Sequence, residues 1–449
     1  MAGYMYLGNK KVCPAVLIGS MEKKVARYNL DNGVATVKTL FEQNDFKDIT
    51  SVGDYALYYS FYKSEASGQL DLSSIESVGS YGLSNAFNGC TNITSVDLSS
   101  LENVGSYGLS YAFNDCTSLI SADLSGITSV GSYSLSYAFS GCTSLTSVDL
   151  SSLETVAGYG LNYAFNGCSG LTSVDLSSLE TVAGRGLNYT FYRCTRLSGS
   201  LNLSSLKTVD SYGLYHTFYG CIGLTSLDLS SLTTCVYASL YNTFLGCTGL
   251  TSVNLSNLKT VEDDSLYQTF SGCTGLTSVD LSHLETVGYG GLDSIFYGCS
   301  SLTSVDLSSL TTAGEDGFHW TFIGCSSLTS ISFPSLKIAE DYCFGQTFSD
   351  CSNLTSVSFT SLETVGDEGF FGAFWGCAKL SSVYFNSITS SNTYQFYYMF
   401  DSSTASQSGT CTVHFPSNMQ SAISGLSGYP TFGGNSGRIV LAFDLPATS

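Results

Sequence analysis

Residues 145–170, LTSVDLSSLETVAGYGLNYAFNGCSG, form one unit of a repeat that runs through most of the 449-residue chain. Phe165 and its equivalents set the register: fourteen phenylalanines are separated by twelve intervals of 26 residues and one of 27. They are Phe61, Phe87, Phe113, Phe139, Phe165, Phe191, Phe218, Phe244, Phe270, Phe296, Phe322, Phe348, Phe374 and Phe400. From Phe87 to Phe374, a cysteine follows each phenylalanine three residues later. A fixed period of this length is typical of a solenoid of stacked coils.

The spacing inside the unit predicts two short elements. Val148 and Leu150 are two residues apart, so they point to the same side of a strand, while Ser147 and Asp149 point to solvent. Leu161, Phe165 and Cys168 have the i, i+4, i+7 spacing of a short helix. The predicted fold class is therefore an α/β repeat: a solenoid with a parallel β-sheet on one face and short helical turns on the other, with non-repeat caps at both ends.

Composition excludes several classes of function. The chain has 36 acidic and 16 basic residues and a net charge of −20, which disfavours nucleic-acid binding. Hydrophobic residues make up 43% of the chain, enough for a folded core, but no apolar run is long enough to span a membrane. The four histidines are scattered, and no nucleophile elbow, phosphate loop or metalloprotease motif occurs. We therefore predict a protein that is not an enzyme and needs neither cofactor nor metal.

The repeat resembles the BspA-like branch of leucine-rich repeats in its 26-residue form. The resemblance rests on the motif Leu227-Asp228-Leu229-Ser230, on Ala164-Phe165 with Cys168 three residues later, and on Tyr398-Met399-Phe400. It covers about residues 49–415. It implies a leucine-rich-repeat solenoid, and it implies adhesion at a surface, since members are typically bacterial or protist surface proteins and are not enzymes as a class.

The ends of the chain do not repeat. We expect an N-terminal cap or attachment segment at 1–48, a solenoid of about 14 units at 49–402, and a strand–helix–strand cap at 403–449. Lys10 and Lys11 precede only a seven-residue apolar stretch that contains Pro14, so no secretory leader is expected and the route to an exterior surface stays open. The segment from Tyr6 to Pro14 resembles the N-terminal segment of structural proteins from phages and prophages of gut bacteria.

An acidic column is the first candidate binding site. Asp97, Asp123, Asp149 and Asp175 share one strand position, and residues 64–184 contain eleven acidic residues but no Lys or Arg. Such a column is either a binding stripe for cations or a basic partner, or a solvated face that keeps the sheet soluble.

An aromatic column and an arginine cluster are the other candidates. Tyr111, Tyr137 and Tyr163 recur on successive predicted helical turns, where they offer contact area for a protein or glycan or stack on one another. Arg185, Tyr189 and Arg193 share a predicted helical face beside the 27-residue interval. They form either a recognition spot or counter-charge for nearby acids.

The twelve in-register cysteines are interpreted as small buried side chains beside phenylalanine, because a uniform ladder gives disulfides no defined pairing.

These observations predict a non-catalytic recognition or adhesion protein on a cell surface, in the extracellular space or on a virion. Its partner would be a protein or glycan on a host or neighbouring cell. Two alternatives remain open: a bacteriophage tail or fibre protein that contacts the host, and a structural protein that self-associates.

Overall fold

The computed structural model describes residues 5–7, 10–12, 46, 49–389, 394–400, 410–433 and 438–447, with 5–7 and 10–12 described by their backbone alone. The chain forms two compact units, Met1–Leu224 and Thr225–Ser449, each of them a stack of coils. Most of the predicted N-terminal segment (1–48) and residues 403–409 of the predicted C-terminal cap lie outside the described residues. The three-part division of the chain stays a prediction.

The first unit contains two rows of parallel strands, one strand of each row per coil. In chain order its strands are β1 Met5–Leu7, β2 Lys10–Val12, β3 Ile49–Val52, β4 Ser67–Asp71, β5 Ser77–Val78, β6 Asn92–Asp97, β7 Asn103–Val104, β8 Ser121–Asp123, β9 Ser129–Val130, β10 Ser147–Asp149, β11 Thr155–Val156, β12 Ser173–Val174, β13 Thr181–Val182, β14 Ser198–Asn202 and β15 Thr208–Val209. One row is ordered β4-β6-β8-β10-β12, and the other is divided between β2-β1-β3-β5-β7 and β9-β11-β13-β15. The antiparallel pair β1–β2 lies against β3, with β1 antiparallel to β3.

The second unit repeats this arrangement. The strand β16 Gly223–Asp228 begins in the last two residues of the first unit and continues into the second. The other strands of the second unit are β17 Thr234–Cys235, β18 Ser252–Asn254, β19 Thr260–Val261, β20 Ser278–Asp280, β21 Thr286–Val287, β22 Ser304–Asp306, β23 Thr312–Ala313, β24 Ser330–Ser332, β25 Ile338–Ala339, β26 Ser356–Phe359, β27 Thr364–Val365, β28 Ser382–Phe385, β29 Cys411–Pro416 and β30 Ile439–Leu445. A 3₁₀ turn, Ser417–Met419, and a helix, α1 Gln420–Ser424, follow β29. The last sheet is ordered β24-β26-β28-β29-β30.

The strand register follows the repeat. Ser147 lies opposite Ser121 and Ser173, and Val148 lies opposite their neighbours Ala122 and Val174. Val148 is 5% exposed, whereas Asp149 is exposed, as the period-two spacing predicts. The predicted parallel-sheet solenoid is therefore confirmed.

The predicted helical turns are replaced by consecutive β-turns. The described residues of the repeats contain no α-helix. In the segment predicted to be helical, every fourth residue has a left-handed backbone conformation, with φ of 58° at Tyr159, 55° at Tyr163 and 70° at Gly167. The N–H of Leu161 donates to the Gly186 carbonyl in the next coil at 2.9 Å, while other amides close turns within the coil. In an α-helix each backbone N–H donates to the carbonyl four residues earlier in the same segment, so these amides could not link neighbouring coils.

The core is a column of stacked phenylalanines. Phe113, Phe139 and Phe165 are fully buried, and their ring centroids are 5.3 Å apart at each step. Cys142 lies beside this column and is also fully buried. Fully burying one such side chain contributes about 1.5–3 kcal/mol, which a single coil could not gain alone.

Candidate functional site

The outward side chains of β4, β6, β8, β10 and residues 173–175 form a surface that we call the Ser–x–Asp face. It contains all four predicted aspartates, Asp97, Asp123, Asp149 and Asp175; Asp97 lies opposite Asp123, and Asp123 opposite Asp149. The face lines an open groove that extends from Gln69 to Asp175. The structure thus brings the predicted acidic column together in one register.

Each aspartate of this face is held by the turn that follows its strand. Oδ1 of Asp149 accepts hydrogen bonds from the backbone N–H of Ser151 at 3.0 Å and from its hydroxyl at 2.7 Å. Asn202 makes the same turn, since its Oδ1 accepts the Ser204 N–H at 2.9 Å. The turn needs only an acceptor oxygen, which explains why asparagine replaces aspartate in some repeats. Sequence analysis missed this role, although the recurring Asp-x-Ser spacing was its signal.

The second carboxylate oxygen of the four predicted aspartates is left for solvent or a ligand. Within the described part of the chain, Oδ2 of Asp97, Asp123, Asp149 and Asp175 makes no hydrogen bond or ion pair. The hydroxyl and N–H of Ser177 hold the pKa of Asp175 below its ordinary value, which keeps this carboxylate ionised at neutral pH. Because residues 64–184 contain no Lys or Arg, no base from those coils neutralises the face.

The tyrosines lie on the turn face, which we define as the surface formed by the residues with positive φ between 55 and 220. Tyr111, Tyr137, Tyr163 and Tyr189 form one column with centroid separations of 4.6, 4.7 and 4.6 Å and nearly parallel rings. Burial raises the pKa of Tyr137, so its hydroxyl stays uncharged. Because Tyr137 and Tyr163 are covered on both ring faces by their neighbours, their ring faces stabilise the coil stack and are not open to a ligand.

The arginine cluster is part of this stacking. The Arg185 guanidinium carbon lies 4.7 Å from the Tyr212 ring centroid and 5.9 Å from that of Tyr159, and Arg193 lies 5.2 Å from the Tyr192 ring. Arg185 occupies the position that holds tyrosine in the coils on either side, 26 residues after Tyr159 and 27 before Tyr212. Within the described part of the chain, Arg185 and Arg193 make no ion pair. Cation–π stacking, which sequence analysis missed, is therefore the local role of Arg185.

The cysteines are buried thiols. All fifteen described cysteines are buried and free of disulfides, so the predicted ladder is confirmed. The Cys142 thiol donates to the Phe113 carbonyl at 3.1 Å, and burial raises its pKa well above the ordinary value. A buried, protonated thiol is a poor nucleophile.

An acidic patch on the second unit was missed by sequence analysis. Asp264 and Asp316 occupy turn positions that hold tyrosine in the first unit, and Asp293 lies 3.2 Å from Nδ1 of His319. Burial raises the pKa of Asp264 and of Asp316, and in both the neighbouring Asp293 raises it further. Their place in the 26-residue register was the available signal. In the described part of the chain, no group of three His, Cys, Asp or Glu side chains could hold a metal ion.

The parallel coils and their buried Leu, Phe and Cys positions define a leucine-rich-repeat solenoid. A family model, the BspA type leucine rich repeat region with six copies, matches in overlapping segments from residue 50 to residue 407. The segments are 50–182, 110–241, 162–289, 242–347 and 267–407. The chain belongs to this family, whose non-enzymatic repeats support a protein-interaction or adhesion role and whose members are typically surface-exposed.

Solved leucine-rich-repeat proteins are similar at low identity. One from Bacteroides ovatus is 23% identical over 76% of this chain and 87% of its own, with a TM-score of 0.41. A leucine rich cell surface protein from Faecalibacterium prausnitzii is 18% identical over 71% and 84%, with a TM-score of 0.30. An internalin from Listeria monocytogenes is 14% identical over 84% and 89%, with a TM-score of 0.29. No match was found among curated proteins.

Of the helices in the described residues, none has the length and apolar character to cross a bilayer.

Proposed function

We propose that this chain is a non-catalytic recognition protein of an exterior surface, and that it binds a protein or glycan carrying positive charge through the Ser–x–Asp face of its first unit. The observation that carries the proposal is the row of four carboxylates, Asp97, Asp123, Asp149 and Asp175, whose Oδ2 atoms make no hydrogen bond or ion pair among the described residues. Each carboxylate is already oriented by its Asp–Ser turn, so a ligand would order few additional side chains on binding.

Electrostatics supports a cationic partner. Adjacent carboxylates about 5 Å apart repel each other by roughly 0.8 kcal/mol even at the dielectric constant of water. A ligand with ammonium or guanidinium groups would relieve this repulsion at several rungs together. Affinity would then be the sum of many weak contacts, each worth about 0.2–1 kcal/mol.

The turn face is the weaker candidate for the same ligand. Tyr137 and Tyr163 use both ring faces on neighbouring rings, so an incoming sugar could stack on them only after opening the column. Separating two stacked rings costs about 0.5–1.5 kcal/mol per contact before any ligand contact is made.

The test is a screen of the purified chain against glycans and cell-surface proteins, followed by variants of each face. Ser147→Trp with Ser173→Trp places bulk on the exposed Ser–x–Asp face and should abolish capture of the ligand that the screen identifies. Tyr137→Ser with Tyr163→Ser is the matched control on the turn face, and it should leave capture unchanged. The reverse pattern would assign binding to the tyrosines, and turnover of a captured ligand would contradict a non-catalytic function.

Surface display is tested separately in the source organism. Labelling intact cells with a membrane-impermeant amine reagent should modify this chain but not a cytosolic reference protein. Labelling only after lysis would contradict display on a cell surface.

A further inference from the structure

A pair of stacked rings lies on the outward side of the last sheet, in the second unit. Tyr384 in β28 is opposite His414 in β29, and their ring centroids are 4.5 Å apart with the planes 9° from parallel. On the other side of Tyr384, the opposite residue is Ser358 in β26. Because neighbouring strands are about 4.8 Å apart, the two rings stack along the ladder, and the second face of the Tyr384 ring is directed over Ser358.

This second ring face is not covered by another ring. Among the described residues Tyr384 stacks on His414 alone, and its hydroxyl makes no hydrogen bond. A tyrosine ring extends well beyond the hydroxymethyl group of serine, so the ring forms a wall beside the β26 strand. Tyr137 differs from Tyr384, because rings cover both of its faces.

Serine hydroxyls form the floor beside this wall. The outward residues of β24 and β26 are Ser330, Ser332, Ser356 and Ser358, which we call the serine floor. The hydroxyls of Ser332 and Ser356 make no hydrogen bond among the described residues, and Oγ of Ser358 lies 3.4 Å from Oγ1 of Thr360. The recess therefore combines one aromatic face with uncharged groups that can both donate and accept hydrogen bonds.

The aromatic wall is held in place by its own sheet. The two carboxylate oxygens of Asp444 lie 2.9 and 3.0 Å from Nδ1 of His414, and the His414 ring supports one face of Tyr384. A ring that is already fixed by stacking loses little further freedom when a ligand contacts its other face.

We propose that this recess binds a neutral sugar ring, which stacks on the free face of Tyr384 above Ser358. A hexopyranose has an apolar face of C–H groups and a polar edge of hydroxyls. Its C–H face would lie on the tyrosine ring much as His414 does on the opposite side. Its edge hydroxyls would exchange hydrogen bonds with Ser332, Ser356 and Ser358.

The serine floor favours a sugar over an aromatic side chain of a protein. The edge of a phenyl ring has no hydrogen-bonding groups, so it would cover these hydroxyls without pairing them, which is unfavourable. The floor carries no charge, and the net charge of −20 disfavours an anionic sugar. A neutral ring with hydroxyls on its edge is therefore the ligand chemistry that fits the recess.

This site is separate from the proposed function of the first unit. None of the residues that form the wall or the floor belongs to the Ser–x–Asp face. Replacing the four aspartates of that face by asparagine should therefore leave sugar binding unchanged, and failure of either site can be recognised without the other.

The test is a nuclear magnetic resonance titration of the full chain with neutral monosaccharides. The probes are the methyl glycosides of glucose, galactose, mannose, N-acetylglucosamine, N-acetylgalactosamine and fucose. At least one should bind with a dissociation constant on the order of millimolar, as one stacked ring allows.

Three variants locate the site. Tyr384→Ser removes the wall and gives this strand the residue that Ser358 supplies in the preceding one, so it should weaken binding at least tenfold. Ser358→Tyr places a ring in the recess and continues the stack, so it should also weaken binding at least tenfold without lowering the melting temperature. Tyr342→Ser, which removes an exposed tyrosine elsewhere in the second unit, should leave binding unchanged.

Loss of binding in both Tyr384→Ser and Ser358→Tyr separates a site effect from a folding effect, because one variant removes a stacking contact and the other adds one. A wild-type chain that binds none of the glycosides would overturn the proposal, as would either variant binding like the wild type. Binding of indole or p-cresol at Tyr384, with no binding of a sugar, would assign the recess to an aromatic side chain of a protein and would also overturn it.

Discussion

Replacing Tyr137 by alanine and by glycine tests whether the segment of each coil that carries the stacked tyrosines is built from left-handed turns or from a helix. Tyr137 has φ of 57° and stacks on Tyr111 at 4.6 Å and Tyr163 at 4.7 Å. Both variants lose the ring, so the loss of stacking, about 1–3 kcal/mol for two contacts, cancels in the comparison. Alanine keeps a strain of about 1–2 kcal/mol in the left-handed region, which glycine does not have.

The expected difference is smaller than the strain, because glycine also gains about 0.4–1 kcal/mol of unfolded-state entropy. The Tyr137→Gly variant should therefore be more stable than Tyr137→Ala by about 0.5–1 kcal/mol. In a helix the order is reversed, with alanine favoured by about 1 kcal/mol.

Urea unfolding followed by circular dichroism measures this difference, provided that the two variants share one slope of unfolding free energy against denaturant. Ser136→Ala and Ser136→Gly form the matched control, since Ser136 is adjacent and is not among the left-handed residues. There the alanine variant should be the more stable one. A Tyr137→Ala variant more stable than Tyr137→Gly would refute the turn assignment.

Three further outcomes are expected. Phe139→Ala should lower the free energy of unfolding by about 3–5 kcal/mol through its cavity, whereas Cys142→Ala should cost about 1 kcal/mol, as denaturation curves would show. Burial lowers the pKa of His216 from 6.5 to about 4, so on acidification the unfolded chain binds the proton before the folded chain does. The free energy of unfolding should therefore decrease as the pH is lowered from 6.5 to about 4. The loss is about 2 kcal/mol after allowance for partial exposure, and His216→Tyr, which restores the residue of the stacked column, should remove it from pH-dependent melting curves. Calcium and sodium at matched ionic strength should give the same melting temperature, because one oxygen of Asp149 and of its equivalents already accepts hydrogen bonds from the following turn. A melting temperature that is higher in calcium than in sodium would contradict this.

The sequence alone was sufficient to predict the coil, its strands and its buried columns. The 26-residue register and the period-two alternation of Val148 and Leu150 determine which side chains are buried, and Cys142 follows from its place beside Phe139. These features depend on spacing along one chain, which is visible without coordinates.

Spacing could not separate a helix from the turn segment. Left-handed residues at every fourth position bring Tyr159 and Tyr163 to one side, which is also the result of an i, i+4 helical spacing. The hydrogen bonds that decide between them run to the next coil, and they have no local sequence signature. The role of Arg185 was missed for the same reason, because its two tyrosine partners come from neighbouring coils.

The most direct measurement of the proposed function is ligand affinity when charge is removed without disturbing the turns. The variant carries Asp→Asn at four positions, Asp97, Asp123, Asp149 and Asp175. Asparagine keeps the acceptor oxygen, as Asn202 does with Ser204, so the melting temperature should be unchanged or slightly raised. Loss of four exposed contacts of about 0.5 kcal/mol each predicts a dissociation constant about thirtyfold weaker for the ligand found by the screen. An unchanged affinity, with the fold intact, would contradict recognition through the Ser–x–Asp face.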